Sequence, residues 1–151
     1  MFNQQPLLLN FRFEVAFLGW NIDNMSVDSR FQRVSGIGAT LTTTSVTEGG
    51  QNLFTHKLPE RVDYSNLVLE RGRLIKSELS KKFEDALVRF EFTTTDILVS
   101  LLGEDQTRLC SWMFYRAYPV RWTSGDLSAS DPAILIDTME LAYSRMQPMQ
   151  I

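Results

Sequence analysis

The chain has one cysteine, Cys110, and one histidine, His56, separated by 54 positions. A lone cysteine excludes an internal disulfide and a cysteine metal framework. Cys110 lies in an apolar, strand-like run and reads as a small buried hydrophobe. Metal sites need clustered His, Cys or carboxylates, and Asp126 with Asp131 are too sparse for a calcium loop. No Gly-rich phosphate loop and no nucleophile elbow is present, so neither an enzymatic activity nor a cofactor is expected. Charge of one sign is lacking too. The net charge is −3 with acids and bases interspersed, and no basic stripe exists to grip nucleic acid specifically. Long apolar runs are absent: none approaches the roughly 18 residues of a membrane-spanning helix. Met1 to Pro6 carries no charged n-region, and Leu7-Leu8-Leu9 is too short for a signal core, so synthesis in the cytoplasm without a membrane anchor is expected.

What is present is a β pattern. The 151 residues predict a single domain with a core spanning about residues 10–146, and ten Phe, four Tyr and three Trp favour strands. From Asn10 to Gly19, Phe11, Phe13, Val15 and Phe17 alternate with Arg12 and Glu14, the period of a half-buried strand. Asn21 to Ser29 reads as a polar loop, and a short strand follows over Phe31 to Ser35, broken at Gly36-Ile37-Gly38. Ala39 to Thr47 is rich in β-branched residues but small and polar on both faces; Thr40, Thr42 and Thr44 would contribute little to a core. Tyr64 to Arg71 predicts another strand, ended by Gly72.

The period then changes. Leu79, Phe83, Ala86, Leu87 and Phe90 fall at helical spacing behind a Ser77 N-cap, predicting one helix over about residues 78–89. A handover to extended structure is expected near Val88, continuing through Asp96 to Leu102. Leu109 to Tyr118 is apolar on both faces, as a central strand is, and Pro119 is expected to end it. Thr123 to Pro132 reads as a loop. Ile134 to Arg145 predicts the last strand, with Leu135, Met139, Leu141 and Tyr143 on one face. Trp112 and Trp122 read as core. Arg71, Arg121, Glu140 and Arg145 read as solvated strand residues, since a buried unpaired charge is costly. The whole predicts a mainly β fold, an antiparallel barrel or sandwich with one flanking helix.

Between Gly49-Gly50 and Pro59 lies a stretch too apolar for an idle connector. Glu48, Gly49, Gly50, Asn52, Leu53, Phe54, His56, Leu58 and Pro59 are assigned to an extended docking loop, with Leu53 and Phe54 as anchors and His56 as a polar contact. The glycines permit a sharp exit from the preceding strand, and Pro59 is expected to precede the next one.

Five segments carry a combined signal: Phe31-x-x-Val34-Ser35-Gly36-Ile37, Glu48-Gly49-Gly50-x-Asn52-x-Phe54-x-His56-x-Leu58-Pro59, Tyr64-Ser65-Asn66-Leu67-Val68-Leu69-x-Arg71-Gly72, Trp112-x-Phe114-x-x-Ala117-Tyr118-Pro119-Val120-x-Trp122 and Glu140-Leu141-Ala142-Tyr143. Together they resemble the tail-tube proteins of contractile phages. The similarity is greatest to the branch found in extracellular contractile injection particles, and it runs in order from about Asn10 to Tyr143. One departure is that the helix offers Phe83 where the family often has Trp.

The resemblance implies a subunit that forms hexameric rings, stacked into a rigid hollow tube that sheath contraction drives out. It implies other tube paralogues, sheath and baseplate proteins as partners, and a place in a phage-tail-like particle. It also implies a role as either the repeating tube protein or the baseplate-proximal tube initiator, and an inter-subunit role for the loop before Pro59. Thr40, Thr42 and Thr44 then become candidates for the lumen wall, where small polar side chains neither hold cargo nor collapse inward. A Type VI secretion-like tube protein is the neighbouring alternative. A small ligand-binding β-barrel is a more distant one and requires an apolar interior pocket.

Overall fold

The computed structural model describes residues 12–22, 30–50, 53–72, 77–125, 130 and 135–149. Phe11, Asn52, Ile134 and the first nine residues, about which the sequence carries expectations, lie outside them, as does most of the loop before Pro132. In order, the strands are β1 (Arg12–Phe17), β2 (Arg30–Phe31), β3 (Arg33–Ser35), β4 (Ala39–Val46), β5 (His56–Tyr64) and β6 (Leu67–Gly72). The helix α1 (Glu78–Arg89) follows, then β7 (Thr95–Leu102), β8 (Arg108–Ser124), β9 (Ile136–Ala142) and β10 (Arg145–Met149).

Eight of these strands form one antiparallel sheet in the order β2-β1-β7-β8-β9-β6-β3, with β10 on β8, and β4 and β5 form a separate two-stranded ribbon. The two ends of the path, β2 and β3, are separated only by Gln32, whose N–H donates to the Glu70 carbonyl at 2.9 Å. One short segment therefore pairs with β1 through Phe31 and with β6 through Arg33 to Ser35, and it closes the sheet on itself. Closure removes free edges, which an antiparallel sheet otherwise exposes. The interior is filled: Val15, Leu67, Leu69, Ile97, Val99, Phe114, Met139 and Leu141 are fully buried. Trp112 and Trp122 pack against this core, as expected.

β8 is the long central strand, and Pro119 does not end it. Its first half pairs with β7 on one side and β10 on the other; its second half pairs with β9. The strand bends where Arg116 takes φ 54°, and the Asp96 carboxylate accepts that residue's N–H at 3.0 Å. Proline lacks only the donor that a bulge can spare. The register shifts between Pro119 and Arg121, so Pro119 is accommodated there. Opposite the bend, the predicted last strand divides into β9 and β10 at Tyr143-Ser144, and the Ser144 N–H to Tyr115 carbonyl bond (2.9 Å) bridges the break.

Helix α1 matches its predicted bounds because both ends are chemically marked. The Ser77 hydroxyl accepts from the Ser80 N–H at 3.1 Å, Glu78 stands in the first turn, and Arg89 in the last. The helix buries Leu79, Phe83 and Ala86. Phe83 meets Trp20 edge-on at 6.2 Å, and Trp20 stacks on Phe17 at 5.3 Å. The expected handover to a strand near Val88 does not occur. Phe90 turns left-handed (φ 58°) and terminates the helix, and β7 begins only at Thr95.

Two side-chain expectations, for Arg71 and Cys110, are corrected. Arg71 is buried, not solvated: its guanidinium lies 5.2 Å over the Phe31 ring and donates to the Ser77 hydroxyl at 2.5 Å. Burial is tolerated because hydrogen bonding and the ring face replace water. It faces Asp137 across the β6–β9 ladder, and Asp137 is buried and accepts from the Ser124 hydroxyl at 2.7 Å. Arg71 thus ties the barrel seam to the helix N-cap. Arg121, Glu140 and Arg145 stay on the outside or half-buried, with Arg145 over the Tyr115 ring at 4.3 Å. Cys110 is half-buried and free, less enclosed than its sequence neighbours imply.

Tyr143 supplies a pH-dependent prediction. Its ring packs edge-on against Phe114 at 4.8 Å, and its buried hydroxyl has no hydrogen-bond partner among the described residues. Burial, with a smaller contribution from Tyr64, pushes its pKa above the ordinary phenol value. A raised folded-state pKa favours the neutral phenol. Its contribution is complete below the unfolded value near pH ~10 and is lost as pH rises through the folded value. Tyr143→Phe should therefore leave the neutral-pH thermal midpoint unchanged or slightly higher, and flatten its decline above pH ~10. Thermal melts of both proteins across that range check this.

Candidate inter-subunit surface

The ribbon of β4 and β5 is the part of the chain that the barrel does not explain. Its strands pair from Ala39↔Tyr64 to Val46↔His56, with a shift between Thr42↔Arg61 and Thr43↔Pro59 that leaves Glu60 as the extra residue of a bulge. The predicted loop is therefore corrected: His56, Lys57, Leu58 and Pro59 belong to β5, not to a connector. Pro59 is accepted because β5 has a single neighbour, so a missing donor at a bulge leaves no ladder group orphaned. The remaining loop is the ribbon tip, where Gly50 takes φ +97°.

The register sorts the ribbon's side chains into two faces. Leu41 and Val62 share one, with Ala39, Tyr64 and Pro59. Thr40, Thr42 and Thr44 share the other with Asp63, Arg61 and Leu58. On that second face Arg61 and Asp63 pair at 3.3 Å, and the Thr42 hydroxyl donates to the Arg61 carbonyl at 3.1 Å. Tyr64, at the base, reaches Tyr143 at 5.7 Å and anchors the ribbon to the barrel. At the tip, the Phe54 ring meets the His56 ring edge-on at 5.0 Å, and Glu48 lies 3.9 Å from the His56 imidazole.

Both faces are open to solvent in the single chain. Leu41, Val46, Phe54, Leu58 and Val62 are exposed, and Leu53 is 91 % exposed. A two-stranded ribbon is marginal alone in water. Clustered exposed apolar side chains mark a contact surface. The structure thus joins the predicted arm and the predicted lumen residues in one ribbon, with His56, Leu58 and Pro59 on β5, Thr40, Thr42 and Thr44 on β4, and Glu48, Gly49, Gly50, Leu53 and Phe54 at the tip. The residue types were visible in the sequence, but the pairing of Leu41, inside the Thr-rich strand, with Val62 is long-range and has no local sign.

Elsewhere, no group of three or more metal-capable side chains occurs among the described residues. A cavity of about 670 Å³ opens beside β2, lined by Arg12, Phe13, Arg30, Phe31, Gln32 and Gln106 among others. Phe31 and Phe13 of this lining also belong to or pack against the core, whose buried side chains fill the barrel.

A closed, filled barrel carrying an exposed ribbon is the architecture of an assembly subunit, whose surface does the work. The chain belongs to the T4-like virus tail tube protein gp19 family, which it matches over residues 9–147. Among solved structures, it is similar to a chain of the anti-feeding prophage (AFP) baseplate (31 % identity, TM-score 0.80, covering 98 % of this chain and 97 % of that one). It also shares the fold of a chain in the PVC sheath–tube complex of an extracellular contractile injection system in its extended state (23 % identity, TM-score 0.78, 99 % and 95 % covered). Hcp1 from Salmonella typhimurium has the same fold at 10 % identity (TM-score 0.61, 93 % and 86 % covered). A comparison with curated protein sequences returns no match.

Proposed function

We propose that this protein is a non-enzymatic structural subunit of the inner tube of a phage-tail-like contractile injection particle. It forms hexameric rings that stack with further tube, sheath and baseplate components. The observation that carries this reading is the ribbon: a member of a tail tube family holds Leu41, Val62, Leu53 and Phe54 in water until another subunit covers them. Burying such side chains stabilises by about 25 cal/mol per Å² of apolar surface, repeated around a ring. A baseplate-proximal ring, which starts the tube, is favoured over the repeating tube by the higher identity to a chain of the AFP baseplate, 31 % against 23 % for the PVC sheath–tube chain.

The lumen reading becomes specific on this ribbon. Thr40, Thr42 and Thr44 line the tube interior together with the Arg61–Asp63 pair, which brings compensating charges onto the same face. The Leu41 and Val62 face then packs against protein. If subunit contacts instead bury Thr40, Thr42 and Thr44, the lumen lies elsewhere.

Electron microscopy of the purified protein tests the main reading: rings of uniform diameter are expected, and a monomer at high concentration overturns it. Labelled protein confined to the baseplate end of intact particles supports the initiator role, and label along the whole tube refutes it.

A further inference from the structure

Beyond the ribbon, one other region of the described surface concentrates exposed apolar side chains. At the C-terminal end of α1, Leu87, Val88, Phe90 and Phe92 are exposed, as are Tyr118 and Val120 on β8. Three rings form a ladder: Phe90 meets Phe92 edge-on at 4.8 Å, and Phe92 meets Tyr118 edge-on at 6.2 Å. The end of this ladder is held in an unfavourable way. Phe90 occupies the left-handed position after the helix (φ 58°), which glycine fills without steric cost, and its side chain is 83 % exposed. A large apolar side chain on a left-handed residue, facing water, gives the monomer little in return. The turn itself serves the monomer, because the Phe90 N–H donates to the Asp85 carbonyl and caps the helix; what the monomer leaves unused is the exposed ring.

We infer that this aromatic ladder is the acceptor, on a second copy of the chain, for the tip of the ribbon. The inference rests on the tube reading and adds the receiving surface to it. Rings and stacks of like subunits need two unlike patches, one meeting the other head to tail. The ribbon, with Leu53 and Phe54 at its tip, is one, and the ladder is the other. Ladder on ladder would close a dimer and leave the ribbon in water. The flanking charges are complementary as well. Exposed Arg121 and Arg89 border the ladder, Arg89 at 3.6 Å from Asp85 of its own helix, and exposed Glu48 borders the ribbon tip, 3.9 Å from His56.

The test combines Phe90→Gly with cross-linking between copies. Phe90→Gly should leave the thermal midpoint of the dilute protein unchanged or raised by up to about 4 °C. The concentration for half-assembly should rise by roughly tenfold or more. In a Cys110→Ser background, tagged Phe54→Cys mixed with untagged Phe92→Cys should cross-link to each other in preference to either with itself. If the parent protein assembles while Phe90→Gly assembles equally well and the 54–92 pair fails to cross-link, the ribbon docks elsewhere and the tube reading stands. Preferential 92–92 cross-linking would mean an isologous ladder contact and overturn the inference. A midpoint lowered by more than about 4 °C would make Phe90 a support of the monomer fold and overturn it equally. A parent protein that stays monomeric overturns both readings.

Discussion

Phe54→Asp should yield a protein that folds as the parent does and does not assemble. In the single chain Phe54 is 55 % exposed, and its ring contact is with His56, itself exposed. Substitutions at such sites change stability by no more than about 0.5 kcal/mol. In the proposed assembly the same position is covered by a neighbouring subunit, where an unpaired carboxylate would lose its hydration at a cost of several kcal/mol. The new charge also lies two residues from His56 and on the same tip as Glu48, adding like-charge repulsion. Because every copy in a ring carries the defect, the loss multiplies with ring size. Circular dichroism melts should be superimposable with the parent's, while sedimentation shows monomer at concentrations where the parent forms rings. Phe54→Leu should restore assembly in large part, since it keeps the apolar volume. Rings formed normally by Phe54→Asp would remove the ribbon tip from the contact.

How far the chain could be read in advance depended on whether a signal was local. Helix α1 was legible to its end residues because Ser77, Glu78 and Arg89 mark the termini and Leu79, Phe83 and Ala86 the buried stripe. β1 and β9 were legible from their alternation, with Val15, Phe17, Met139 and Leu141 buried as their period requires. Both prolines misled for one reason. As local signals Pro59 precedes a strand and Pro119 ends one, yet each stands where a register shift excuses the missing N–H, and bulges arise from pairing, which is not local. Barrel closure was likewise hidden, since it depends on Phe31 pairing one way and Val34 the other within five residues. Arg71 illustrates the polar side of the problem. A charge in a strand reads as solvated until Phe31 and Ser77, far apart in sequence, converge on it.

The candidate surface shows the same division. Its residue types were legible, since Leu53, Phe54 and the Thr-rich strand stand out from an ordinary loop. Its form was not, because a loop and a ribbon differ by cross-strand pairs such as Leu41↔Val62, more than twenty positions apart. The left-handed conformation of Phe90 had no local sign at all. Glycine or asparagine is the residue that announces such a cap, and phenylalanine conceals it.

Gly36→Ala should cost the fold itself, and with it assembly. Gly36 takes φ +84°, where an L side chain is strained by roughly 1–2 kcal/mol before any contact is counted. A Cβ there would stand 1.9 Å from the Asn66 carbonyl oxygen and 3.0 Å from its carbon, both backbone atoms that no rotamer change can move. β3 must then withdraw from β6 next to the Ser35↔Val68 pair, at the seam that closes the barrel. Asn66 is itself held, through its Nδ2 donating to Glu140 at 2.8 Å, so the opposite wall resists the shift. Together these predict a loss of about 3 kcal/mol or more, or a thermal midpoint about 6–12 °C lower. Gly38→Ala is the control: nothing lies within 4 Å of its added Cβ, and its midpoint should stay within about 2 °C of the parent's. A Gly36→Ala midpoint equally close to the parent's would show that β3 can yield without opening the seam. The contrast with Phe54→Asp is physical. Gly36 lies three residues before β4 and sets the base from which the ribbon leaves the barrel, so its substitution should abolish rings by disordering their subunit. Phe54→Asp should abolish them with the subunit intact.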